Sequence, residues 1–156
     1  MKKLLAIVVL GLIYNSYIHA WEKTEIKNEF DNDKQVLIFS DFVKPNRSLD
    51  FPYKDLKARI IYSCTDGRGA IRFNMDPNLT GGTFGSGLEQ KYSLRAKVDD
   101  SMISLSGTQP ENYQKDIMFK KKDTKKLFNA KAVMIEFKHY AGIVYYKFDI
   151  SSFPGC

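Results

Sequence analysis

A chain of 156 residues fits one domain, and the mix of 44% hydrophobic with 13% aromatic residues supplies the apolar mass for one core. The 24 basic residues against 18 acidic ones leave a net charge of +6. That is mildly basic and interrupted by acids, as a solvated surface is, and it does not single out nucleic acid as a partner. Two cysteines and two histidines do not make a recognisable zinc spacing, so no metal is expected.

The first twenty residues read as a secretory signal. Lys2 and Lys3 form a basic start, an apolar run follows over 4–13, and a more polar stretch ends on Ala20. The apolar run, about ten residues, is too short for a membrane span, which needs roughly 20. Residues 14–18 extend the apolar character, and an uncleaved anchor is the competing reading. Cleavage after Ala20 leaves 22 basic and 18 acidic residues, a net +4, in a domain over 21–156 with no membrane span. In an exported chain Cys64 and Cys156 are expected to form a disulfide. The bridge would pin the C-terminus and close a loop of roughly 90 residues.

Residues 21–33 show no clear periodicity and fit an N-terminal arm or an edge strand. Residues 34–43 read as a strand ended by Pro45 and Asn46. Residues 58–64 and 70–75 read as two strands joined by the Asp66-Gly67 turn, with Ile71, Phe73 and Met75 on one face. Residues 76–87 form a polar, glycine-rich loop. Over 91–98, Tyr92, Leu94, Ala96 and Val98 face one way. Asp99-Asp100 is a turn, and 101–106 is the next strand, with Ile103 and Leu105 inward. A second polar loop covers 107–114, and 116–120 is a short strand. Asp123 or Thr124 is expected to cap a short helix reaching about Ala130, anchored by Leu127 and Phe128. Residues 131–138 and 143–150 alternate clearly around Tyr140-Ala141-Gly142 and form a hairpin. The fold class is therefore all-β: a small antiparallel β-sandwich or barrel of about seven or eight strands with one short helix.

No catalytic constellation stands out. A Ser-His-Asp triad needs a histidine, and after cleavage only His139 remains, beside a hairpin turn, where it reads as an exposed loop residue. Cys64 as a nucleophile lacks a base partner. The acid pairs Asp31 with Asp33, Asp99 with Asp100, and Glu89 with Glu111 lie mostly in turn-like segments, where aspartate bonds its own backbone. The run TGGTFGSG over 80–87 leads into a strand rather than a helix and has no Lys-Ser/Thr, so it is a loop and not a phosphate cradle. No cofactor is expected. Lys120, Lys121, Lys122, Lys125 and Lys126, flanked by Phe119 and Phe128, read as a solvated helix start with an anionic surface as the functional alternative. The candidate binding residues are Thr83 and Phe84 in the first loop, Ser106, Gly107 and Tyr113 at the second, and Tyr145 on the wet face of the last strand.

Trp21, the runs DNDKQV (31–36), ARIIYSC (58–64), IRFN (71–74) and KYSLRAKVDD (91–100), and the closing KFDISSF (147–153) appear in an order that resembles the C-terminal β domain of small periplasmic proteins associated with type VI secretion, the VasI or TagO type. The resemblance covers about 21–153. It implies a non-enzymatic accessory role and brings no catalytic residues. A thinner likeness lies in LSGTQPENY (105–113), which is similar to the loop that periplasmic lysozyme inhibitors insert into their enzyme, and it would act through Ser106 and Tyr113. The expected function is that of a periplasmic or secreted binding protein whose partner is a protein or a cell-envelope component, not nucleic acid. A lysozyme inhibitor and a hydrolase of envelope polymers are the alternatives.

Overall fold

The computed structural model describes residues 21–27, 34–65, 68–76, 90–110, 115–139 and 142–155. The expected signal segment over 1–20, the expected Asp66-Gly67 turn, the glycine stretch and Cys156 lie outside the described residues. The chain is all-β with one short helix. The strands are β1 (Glu22–Lys27), β2 (Lys34–Phe39), β3 (Lys57–Thr65), β4 (Arg68–Asp76), β5 (Gln90–Val98), β6 (Ser101–Gln109), β7 (Asp116–Phe119), β8 (Ala132–His139) and β9 (Gly142–Asp149), with α1 (Lys121–Phe128) between β7 and β8. They form one nine-stranded sheet in the order β1-β2-β3-β4-β7-β6-β5-β8-β9, open at β1 and β9 and so not closed into a barrel. The strand pairings among the described residues are antiparallel, and the long hairpins are β3–β4, β5–β6 and β8–β9.

The alternating residues decide which face is inside. Ile60 and Tyr62 of β3, Ile71, Phe73 and Met75 of β4, Leu94 and Ala96 of β5, and Val133, Ile135 and Phe137 of β8 are all buried. So are Val144, Tyr146 and Phe148 of β9. The sheet bends so that its halves face each other across these residues. Phe73 sits 5.7 Å from the ring of Tyr146, 6.1 Å from Phe137 and 6.2 Å from Phe148, although β4 and β9 are far apart in strand order.

Strand β1 completes the sheet where the sequence lacks periodicity. All six of its residues are exposed, so neither face is selected for apolar side chains. Strand β6 runs three residues beyond the expected end at Ser106, which takes Gly107 to Gln109 out of the predicted loop. Gly107 is what permits this. A Cβ at that position would stand 2.5 Å from Ile117 Cγ2 and 2.9 Å from the Met118 carbonyl oxygen, so β7 approaches as closely as it does only against a bare backbone.

The helix starts earlier than expected, and neither proposed residue caps it. Lys120 is the N-cap and makes no side-chain capping bond. Asp123 instead accepts a hydrogen bond from the Ser106 backbone N–H at 2.9 Å, and the Lys120 N–H donates to the Ser106 carbonyl at 2.9 Å. The carboxylate is spent on docking the helix to β6. Leu127 is buried as an anchor.

Candidate functional site

The segment 40–56 joins β2 to β3 by way of the opposite edge of the sheet. It leaves β2 through a bridge between Val43 and Ala58. Asn46 then meets β9: its N–H donates to the Tyr145 carbonyl at 3.0 Å, and its side-chain oxygen accepts from the Tyr145 N–H at 2.8 Å. An asparagine side chain thus supplies the acceptor that a further strand would have supplied. Arg47 packs over the turn into β9, with Nη2 2.8 Å from the place a Gly142 side chain would occupy, and Gly142 itself has φ +102°. Both observations call for glycine there. Leu49 and Leu56 are buried in the core and hold the strap down.

Along this seam large side chains remain outside. Phe51 is 92% exposed, Ile143 46% and Tyr145 37%. Two residues after Phe51, Tyr53 lays its ring edge-on against His139, with centroids 4.1 Å apart. The register pairs His139 with Gly142, next to Ile143, which places the tip of the strap beside the exposed end of β9.

His139 is the last residue of β8 and is buried at 7% exposure, not an exposed loop residue as expected from the nearby turn. Strand parity turns it inward with Phe137 and Val133. Neither ring nitrogen has a hydrogen-bond partner among the described residues, and burial holds the imidazole below its ordinary value of 6.5. A general base of the triad kind needs a third group to orient it, and the described residues provide none here. Above pH 6.5 the ring is neutral in both states and costs nothing in charge. Below it the unfolded chain takes up a proton that the folded chain refuses. Stability is therefore expected to fall from about pH 6.5 downward, by up to about 1.4 kcal/mol per unit, until the folded ring protonates. Denaturation curves between pH 7 and about 5 check this, and His139→Phe is expected to flatten the slope.

Of the binding residues read from the sequence, Tyr145 lies on this seam, with its side chain on the wet face. Ser106 and Gly107 lie elsewhere, inside β6, where Ser106 uses both its N–H and its carbonyl to hold the helix. Thr83, Phe84 and Tyr113 fall outside the described residues, as do Asp31, Asp33, Glu89 and Glu111. Asp99 is a turn residue: at φ +50° its carboxylate accepts from the Lys131 and Ala132 N–H groups at 2.9 and 3.0 Å, which keeps it below the usual carboxylate range. Cys64 is buried and carries no free thiol. Among the described residues no group of three or more His, Cys, Asp or Glu could hold a metal ion. No helix among them is long and apolar enough to cross a membrane.

Sequence reasoning missed Phe51, Asn46 and the burial of His139. It also missed a polar cluster on the outer face of β3, β4 and β7. There Asn74 donates to Asp116 at 2.5 Å, Arg72 lies 3.6 Å from the same carboxylate, and Arg59 donates to the Asn74 side-chain oxygen at 3.2 Å. Arg59 also lies 4.6 Å from the rings of both Phe39 and Phe42. The signal available was register alone, since Asn74 and Asp116 face each other only once β4 is known to pair with β7.

The described residues form an all-β domain with one short helix, and the seam between the strap and β9 leaves Phe51, Ile143 and Tyr145 exposed. No protein family, curated protein or solved structure matches the chain.

Proposed function

We propose that this chain is an exported, non-catalytic binding or accessory protein of the cell envelope, acting in the periplasm or outside the cell. Its partner is a protein or envelope component that docks on the seam between the strap and β9. The observation that carries the reading is Phe51, a large apolar ring left 92% exposed on a segment pinned on both sides by buried residues. Aromatic side chains presented on a rigid support are what binding surfaces are built from, because little side-chain freedom is lost on contact. The signal-like order of residues 1–20 supports export. A Cys64–Cys156 bridge belongs to the same proposal, and so does an accessory role beside a secretion system.

Photo-crosslinking residues introduced in turn at Phe51, Tyr145 and Ser101 test the site in the producing cell. Ser101 is an exposed strand position whose register, through Val98 and Val133, leads to Phe148 at the end of β9 away from Ile143. A discrete adduct is expected at Phe51 and Tyr145 and not at Ser101. Equal labelling at all three, or none at the seam, overturns the site. Export is read separately, from an intact mass beginning at Trp21 that gains nothing on alkylation without reductant.

A further inference from the structure

The surface charge is unevenly placed. Residues 120–126 contain five lysines and one aspartate, a net +4, and the remainder of 21–156 contains 17 basic and 17 acidic residues. The whole excess of positive charge thus sits on α1 and its cap. The one acid of that segment, Asp123, is 1% exposed and turned in toward Ser106. Lys120, Lys121, Lys122, Lys125 and Lys126 are exposed. Among the described residues only Lys126 has a carboxylate in reach, Asp123 at 3.8 Å.

Folding gives no reason for this arrangement and pays a penalty for it. Lys121 and Lys122 open the helix, at the end where its dipole is positive and cations are disfavoured. Lys121 with Lys125, and Lys122 with Lys126, are like charges four residues apart, which repel on a helix surface. The helix is nonetheless fastened to the sheet, by Ser106 on one side and the buried Leu127 on the other. A costly, preorganised cluster of cations is expected where an anionic partner relieves the repulsion.

We infer that the outer face of α1 docks on an anionic phospholipid bilayer, by surface attraction and without insertion. A convex helix face spreads its lysines over a plane, which matches an array of headgroups better than the grooves in which single strands are held. The inference rests on the export reading for its location, but its test does not.

The test uses the protein as recovered from the producing cell and vesicles of phosphatidylcholine with or without about one-third phosphatidylglycerol. Binding is expected only to the anionic vesicles, and to be lost at about 0.5 M salt. The triple variant Lys121→Gln, Lys122→Gln, Lys125→Gln is expected to bind about a hundredfold more weakly, near fivefold per lysine, with its Tm unchanged or raised. Undiminished binding by the variant, a lowered Tm, or tighter binding to a DNA oligomer than to vesicles at equal salt overturns the inference. Salt-resistant binding to both kinds of vesicle, with residues 1–20 present in the mass, instead shows an apolar anchor and fails the cleavage reading as well.

Discussion

Replacing Phe73 by alanine is expected to remove about 4 kcal/mol of stability. The side chain is fully buried on β4 and meets three rings from the far half of the sheet. It therefore fills the space that the bend of a single sheet would otherwise leave open. Truncation removes the transfer energy of the ring and leaves a cavity whose aromatic walls belong to long strands that cannot collapse inward. Domains of this size hold roughly 5–15 kcal/mol in total, so the variant should melt about 10–15 °C lower. Phe73→Leu, which keeps most of the volume, is expected to cost far less. Equal losses for the two substitutions would show that the halves do not meet on this ring.

The second large effect is expected at Asp116. Its carboxylate is 10% exposed and takes the Asn74 amide at 2.5 Å, with Arg72 at 3.6 Å. Alanine there strips both groups of a largely buried anion, and Asp116→Ala is expected to cost about 3 kcal/mol. The neutral Asp116→Asn keeps an acceptor for Asn74 and loses the charge for Arg72, so its cost should be near 1 kcal/mol. Urea denaturation of the three proteins separates the hydrogen bond from the ion pair. A loss below about 0.5 kcal/mol for alanine would place the cluster among ordinary surface pairs.

How much of this was legible in the sequence depended on whether a residue's role was local. Strands β4, β5, β8 and β9 were readable because one face of each is buried, which imposes a period of two on residues such as Leu94 and Ala96 or Val144 and Tyr146. Strand β1 was open only as one of two alternatives, an arm or an edge strand, because pairing with β2 uses backbone groups and leaves its side chains without a selecting environment. The helix was visible through Leu127, yet its cap was misread, because the demand of a β6 N–H on Asp123 comes from a residue 17 positions away. The site was the least legible part. Tyr145 showed through its place on the wet face, but Asn46 acquires its role only from a contact 99 residues distant. Phe51 looks like any loop phenylalanine until its neighbours are seen to be fixed.

The hydrogen bonds between Asn46 and Tyr145 also bear on self-association. A sheet with two bare margins can add copies of itself indefinitely, each newcomer exposing a fresh margin to the next. Here the β9 margin is already engaged at its middle, and the β1 margin carries Lys23, Glu25 and Lys27, with Glu25 tied to Lys34 at 2.6 Å. The Asn46 bonds interrupt pairing along β9 at Tyr145, which favours β1 for a strand-to-strand encounter between two molecules. A union of β1 with β1 about a two-fold axis would consume both of those margins at once and terminate at two copies.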